Sequence, residues 1–254
     1  DYWAYVNFYA AQGTTFDRVV LSGNYFESDN YIIGNYSSAS GSSVVGPVLT
    51  SSIPDIVSSG NSSVNLVSSL SNGTSANYNN RFDGGTLKAD AAGSYAGNFS
   101  ITSNGGTLDQ GGLAATFTGV FSNDTTDTSS AARNLTVTNS GTAGQGSVTL
   151  AAVNTYTGAT TVEAGAKPAL SGSGSVAASS GVAANGVFDI SATTSGASIQ
   201  SLSGSGSVVT ASGKSLSLTN ASGTFSGAIS GAGGVNLSSG SETLSGSNTY
   251  TGAT

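Results

Sequence analysis

Short runs in which apolar and polar side chains alternate recur along the chain: Phe99-Ser100-Ile101-Thr102, Leu135-Thr136-Val137-Thr138, Val148-Thr149-Leu150 and Leu216-Ser217-Leu218. In extended backbone, successive side chains point to opposite faces, so each run predicts a strand with one face inward and one toward water. Gly, Asn and Ser punctuate the runs, and these residues take the positive φ or side-chain-bonded conformations that corners require. No window holds a helical period, and Gly at 37 positions opposes helix throughout. The pattern predicts an all-β chain.

Repetition narrows the architecture. The heptapeptide Asn-Thr-Tyr-Thr-Gly-Ala-Thr occurs at Asn154 to Thr160 and again at Asn248 to Thr254, an offset of 248 − 154 = 94 residues. A short apolar strand precedes both copies, and Thr116-Phe117-Thr118-Gly119 upstream of the first resembles Thr224-Phe225-Ser226-Gly227 upstream of the second. The first unit is longer, and the Asp-, Ser- and Thr-rich stretch from Ser122 to Arg133 is the expected insertion, a surface loop. Gly84-Gly85-Thr86-Leu87 returns at Gly105-Gly106-Thr107-Leu108, a spacing of 105 − 84 = 21 that suits one solenoid coil. Sandwiches and barrels also use short strands, but a parallel β-helix stacks like on like, so that one residue type recurs at one corner. The expected fold is therefore a parallel β-helix with coils of roughly 20–25 residues. Residues 1–80 are expected to form an aromatic-rich cap and irregular first coils, with Gly46-Pro47, Ile53-Pro54 and Ser58 to Ser75 as a transition. The regular helix is expected over 81–254, with related units at about 115–165 and 223–254, the second cut short.

Within the repeat each residue has an expected corner role. Asn154 and Asn248 bond the corner backbone and stack as an amide ladder, Tyr156 and Tyr250 cover the coil edge, and Gly158 and Gly252 turn with positive φ.

Composition removes most chemistry. There is no histidine and no cysteine, which excludes a Ser-His-Asp triad, imidazole or thiolate metal sites and a thiol nucleophile. Gly172 to Ala177 formally satisfies a dinucleotide fingerprint, but no helix is expected after it and chance accounts for it in so Gly-rich a chain. The 13 acids are scattered; the nearest pairs are Glu27 with Asp29 and Asp124 with Asp127, read as solvated loops or Asx turns rather than as a glycosidase pair. No catalytic, metal or cofactor site is expected. The net charge of −7, with six basic residues spread singly, argues against nucleic acid and anionic lipid as partners.

Ten of the aromatic residues fall in the first 36 positions. An open solenoid end exposes unpaired edges, so Tyr2, Trp3, Tyr5, Phe8 and Tyr9 are expected to cap the first coil; the other reading is an aromatic platform for a sugar or partner protein.

The segment Asn154 to Gly165, preceded by a Gly-rich strand ending at Leu150, resembles the passenger-associated transport repeat of bacterial autotransporters. Gly231 to Thr254 is similar to the same repeat, cut before its Thr-Val continuation, and Phe16 to Gly23 and Phe26 to Asn30 also resemble passenger segments. The chain departs from the repeat at Lys167-Pro168. The resemblance implies a right-handed parallel β-helix on the bacterial surface or secreted, exported through the outer membrane by a C-terminal β-barrel that this sequence does not contain. It implies a non-enzymatic stalk for adhesion, self-association or biofilm, with a surface receptor or other copies as partners. Two alternatives are a subunit of a self-assembling extracellular fibre and an acid-pair polysaccharide hydrolase or lyase.

Overall fold

A computed structural model describes residues 79–89 and 92–254, together with five short strands before them: β1 (Asn7–Tyr9), β2 (Val19–Ser22), β3 (Gly34–Tyr36), β4 (Ile56–Ser59) and β5 (Ser63–Leu66). There is no helix among the described residues, and none therefore long and apolar enough to cross a membrane. The chain is a parallel β-solenoid of about eight windings.

The windings have three faces, which the chain visits in the order I, II, III. Three windings show it most fully. The first is β6 (Asn79–Asp83), β7 (Thr86–Ala89), β8 (Gly93–Tyr95); the second is β9 (Asn98–Ile101), β10 (Gly106–Asp109), β11 (Ala114–Phe117). The third is β12 (Phe121–Asn123), β13 (Leu135–Thr138), β14 (Ser147–Leu150). The next two have strands only on faces II and III: β15 (Thr160–Val162) with β16 (Pro168–Gly172), then β17 (Val182–Ala184) with β18 (Val187–Thr193). Face I returns with β19 (Ala197–Ile199), followed by β20 (Leu202–Ser203) and β21 (Ser207–Thr210), and then by β22 (Leu216–Leu218), β23 (Thr224–Phe225) and β24 (Ala228–Gly231). The last strands are β25 (Val235–Leu237) and β26 (Thr243–Leu244).

Every strand pairing is parallel, as a stack of windings demands. Face II is the seven-stranded sheet β5-β7-β10-β13-β15-β17-β20, continued by β23-β26 through a Gly204–Phe225 bridge. Face III is β8-β11-β14-β16-β18-β21-β24, and face I is split into β2-β4-β6-β9-β12 and β19-β22-β25. The sheets include strands from before residue 80, since β2 and β4 pair on face I and β5 on face II. Tyr2, Trp3 and Tyr5 lie outside the described residues, and of Phe8 and Tyr9 only the backbone pairing of β1 with β3 is described.

The alternation in the sequence is the alternation of burial. Leu87, Leu108, Val137, Val162 and Ala184 lie in register on face II and form one inward ladder. Their spacings of 21, 29, 25 and 22 residues show windings of unequal length. The longest contains residues 124–134 between β12 and β13, which is the expected insertion and lies on the surface. Rings fill the lower windings: Phe99 and Phe121 stack at 4.7 Å with planes 7° apart, Phe82 lies 5.6 Å from Phe99, and Tyr95 stacks on Phe117 at 5.3 Å. Burying each such ring is worth about 1.5–3 kcal/mol, so the apolar interior outweighs the small charged content of the surface as the source of stability.

Pro168 enters β16 as its first residue, where a missing N–H breaks no ladder bond that the strand needs. Its side chain is buried beside Val148 of the winding below, so the departure from the repeat at Lys167-Pro168 continues the ladder.

Candidate functional site

The duplicated heptapeptide is the most chemically specific part of the chain. In the first copy the Phe121 N–H donates to Asn154 Oδ1 at 2.9 Å, while Thr155 N–H and Tyr156 N–H both donate to Phe121 O, at 2.8 and 3.2 Å. In the second, Ile229 N–H donates to Asn248 Oδ1 at 2.9 Å, and Thr249 and Tyr250 N–H donate to Ile229 O at 2.8 and 3.2 Å. The Asn154 amide also donates to Ala152 O, as that of Asn248 does to Gly246 O. Both tyrosine hydroxyls lie 2.6 Å from the threonine four residues on, Thr160 or Thr254. The Asn-Thr-Tyr half therefore bonds the winding beneath in the same way in both copies, whereas the next threonine donates its N–H to Asn123 Oδ1 in the first and to Gly231 O in the second.

The two copies nevertheless occupy different faces. The first follows β14 and rests on β12, which places it on face I, at the corner leading to β15 on face II. The second follows β26 and rests on β24 of face III, and its Ala253 O accepts from Val235 N–H of β25 at the corner leading to face I. The expectation that identical letters return to one corner is thus corrected. The bonds that the two copies share use only the motif's own side chains and backbone and the backbone of the strand below, and such strands lie on more than one face.

Three residue roles are corrected with it. Asn154 has Phe121 below and Ser175 above, donating to Ser175 O at 3.0 Å, so it joins three windings without an amide ladder. Tyr156 does not cover an edge; it is buried in the core. Neither Gly158 nor Gly252 has positive φ. A Cβ on Gly158 would lie 2.2 Å from Arg133 C and O, and one on Gly252 2.5 Å from Gly233 C, so these glycines permit close approach of windings.

Sequence reasoning passed over Thr160 and Ser179, which complete a polar chain inside the apolar stack. Thr160 sits inward on face II between Leu135 and Val182, and both it and Ser179 are buried. Thr160 Oγ1 donates to Ser179 Oγ at 3.0 Å, and Ser179 Oγ reaches Gly158 O at 2.8 Å and Gly181 O at 2.9 Å. Because a hydroxyl has one proton, Thr160 accepts from Tyr156, and the protons run Tyr156 to Thr160 to Ser179 to backbone. Burial pushes the Tyr156 hydroxyl pKa well above that of a free tyrosine, against the lowering effect of its Thr160 bond. The threonine was visible as the last letter of the repeat; no local signal marks Ser179, whose role comes from the next winding. Gly172 to Ala177, the formal dinucleotide fingerprint, runs from the end of β16 into that next winding and is followed by no helix.

The acid pair is fully engaged. Asp124 is buried; one of its oxygens accepts from Thr126 N–H, Thr126 Oγ1 and Asp127 N–H, and the other from Arg81 Nε at 2.8 Å and Ser100 Oγ at 3.0 Å. Burial works to raise its pKa, but the bonds from Thr126, Ser100 and Arg81 outweigh it and hold the carboxyl at about 2. Asp127 accepts from Ser103 N–H at 2.5 Å and from Ser129 N–H, and these bonds lower its pKa as well. These bonds pin the 124–134 loop, whereas a general acid needs the opposite shift. Glu27 and Asp29 lie outside the described residues. Among the described residues no group of three or more acids could hold a metal ion.

No protein-family model, no curated protein and no solved structure matches this chain.

Proposed function

We propose that this chain is a non-enzymatic, rod-like passenger segment: a stalk that a bacterium displays or secretes for adhesion, self-association or biofilm structure. The observation that carries this reading is the heptapeptide itself, which uses its asparagine amide and backbone N–H groups to bond the winding beneath and its phenol to brace its own last threonine. Such a motif adds length and stiffness to a stack, and its resemblance to the passenger-associated transport repeat supports export through an outer-membrane barrel. The engagement of Asp124 and Asp127 by Arg81, Ser100, Thr126 and Ser103 favours this reading over an acid-pair hydrolase.

The test is deletion of the segment from the bacterium that makes it, followed by surface-adhesion and cell-aggregation assays. Loss of either phenotype with the remaining protein still exported supports the stalk; unchanged adhesion and aggregation overturn it.

A further inference from the structure

An asparagine followed by glycine is prone to lose its side-chain amide, because glycine has no Cβ to keep its own nitrogen away from the asparagine Cγ. The chain has three such pairs: Asn72-Gly73, which lies outside the described residues, Asn104-Gly105 and Asn185-Gly186. Asn104 stands at the corner between β9 and β10, and Asn185 at the corner between β17 and β18. In both pairs the asparagine is exposed and the glycine buried. The two sites differ at each group that the reaction uses.

At Asn104 the amide nitrogen that would leave donates to Asp83 Oδ1 at 2.7 Å, and the attacking Gly105 nitrogen has its N–H bonded to Thr102 O at 2.9 Å. The Asp83 carboxylate also opposes the anion that forms when that N–H is lost, since like charges nearby disfavour one another. At Asn185 the bonded group is the carbonyl instead. Ser205 N–H donates to Asn185 Oδ1 at 3.3 Å, which polarises the carbon under attack in the manner of an oxyanion donor. The Asn185 amide nitrogen has no partner among the described residues. Gly186 N–H is held more loosely than Gly105 N–H, at 3.2 Å from Val162 O, an acceptor that it shares with Asn185 N–H at 2.9 Å.

We infer that Asn185 is a self-modification site, at which the folded chain deamidates while Asn104 is held back. The Gly186 nitrogen gives its proton to hydroxide and attacks Asn185 Cγ. The new C–N bond closes a succinimide as the Cγ–Nδ2 bond breaks, and ammonia leaves with its third hydrogen taken from water. A second water opens the ring at either carbonyl, giving aspartate or isoaspartate and one new carboxylate. Isoaspartate also adds a main-chain carbon at a corner where windings touch: Gly186 O receives Ser207 N–H at 2.8 Å, and a Cβ on Gly206 would lie 2.1 Å from that same oxygen. The modification therefore loosens one corner of the stack.

The test is peptide mapping by mass spectrometry of the chain incubated at mildly alkaline pH, folded in buffer and unfolded in guanidinium chloride. Unfolded, the Asn104 and Asn185 peptides are expected to deamidate within about twofold of each other, because neither keeps its native partners. Folded, Asn185 is expected to react at least about tenfold faster than Asn104 and to yield isoaspartate as well as aspartate. Asp83→Ala is expected to raise the Asn104 rate and to leave that of Asn185 unchanged, which also reports that the stack is intact. Equal folded rates at the two sites, no reaction at Asn185, or aspartate without isoaspartate overturns the proposal. In the isolated isoaspartate fraction, amide exchange at Ser207 is expected to be faster than in the unmodified chain, since exchange follows local opening, and equal exchange overturns the loosening.

Discussion

Asn154 and Asn248 each accept one backbone N–H at 2.9 Å, from Phe121 and Ile229, although Phe121 lies on face I of the solenoid and Ile229 on face III. The motif around them is therefore a stacking unit defined by its relation to the strand below, not by a position around the axis. Its first copy is buried between windings, with Phe121 below Asn154 and Ser175 above it.

Gly158 marks the closest approach of two windings. Gly158→Ala is expected to cost about 1–3 kcal/mol or more, because its methyl meets backbone that cannot rotate away. Gly93 also has no positive φ, and a Cβ there meets nothing within 4 Å, so Gly93→Ala is expected to change stability by less than about 0.5 kcal/mol. Urea denaturation of both variants measures the contrast, and equal losses would contradict the close-approach role.

Thr160 links two hydroxyls that have no water to turn to. Thr160→Val keeps the shape and leaves the Tyr156 hydroxyl buried without an acceptor, an expected loss of about 1–3 kcal/mol. Adding Tyr156→Phe removes the stranded group, so the double variant is expected to lose less than the two single losses combined. A double-mutant cycle by chemical denaturation that gives simple additivity rules out the relay.

Asp124 makes the fold sensitive to acid. Its pKa is lowered on folding from 3.8 to about 2, so its stabilising contribution is complete above pH 4 and disappears as pH falls toward 2. Denaturation midpoints are expected to drop across that window and to drop less in Asp124→Asn, which is less stable at neutral pH because an amide nitrogen cannot accept the Arg81 or Ser100 protons. Parallel pH profiles for the two proteins would remove Asp124 as the cause.

Glu242 has the opposite sign. Burial raises its pKa above 4.5, against the lowering effect of bonds from Gly223, Leu202 and Ser201, and its Oε1 is buried without a hydrogen-bond partner. The folded state then holds the proton more tightly than the unfolded one, so stability is highest below pH 4.5 and falls as pH rises through the raised pKa. Glu242→Gln is expected to raise the thermal midpoint at pH 7 and to leave it nearly unchanged at pH 4. A destabilised variant at pH 7 contradicts the assignment.

Much of the fold was legible because its signals are local. Alternation at Leu135-Thr136-Val137-Thr138 appears as one inward and one outward set of side chains, and the 21-residue echo of Gly-Gly-Thr-Leu is one winding of face II, with Leu87 paired to Leu108. The Ser122 to Arg133 stretch, read as an inserted loop, matches residues 124–134 between β12 and β13. The site was less legible. Ser179 carries no local mark, Arg81 lies 43 residues from Asp124, and Gly158 was read as a turn because composition cannot distinguish a glycine needed for φ from one needed for space.

The sequence by itself determined that this protein is built from short strands, that they wind repeatedly, and that seven residues form a unit used twice, because each of those properties depends on neighbours within a few positions. Only the tertiary structure decided on which face each unit lies, that Tyr156 points inward, and that Asp124 ties a loop to Arg81 and Ser100 of the windings beneath. Those outcomes depend on which residues of adjacent windings meet, and because paired positions range from 19 residues apart at Leu216 and Val235 to 37 at Val19 and Ile56, no fixed period in the sequence encodes them.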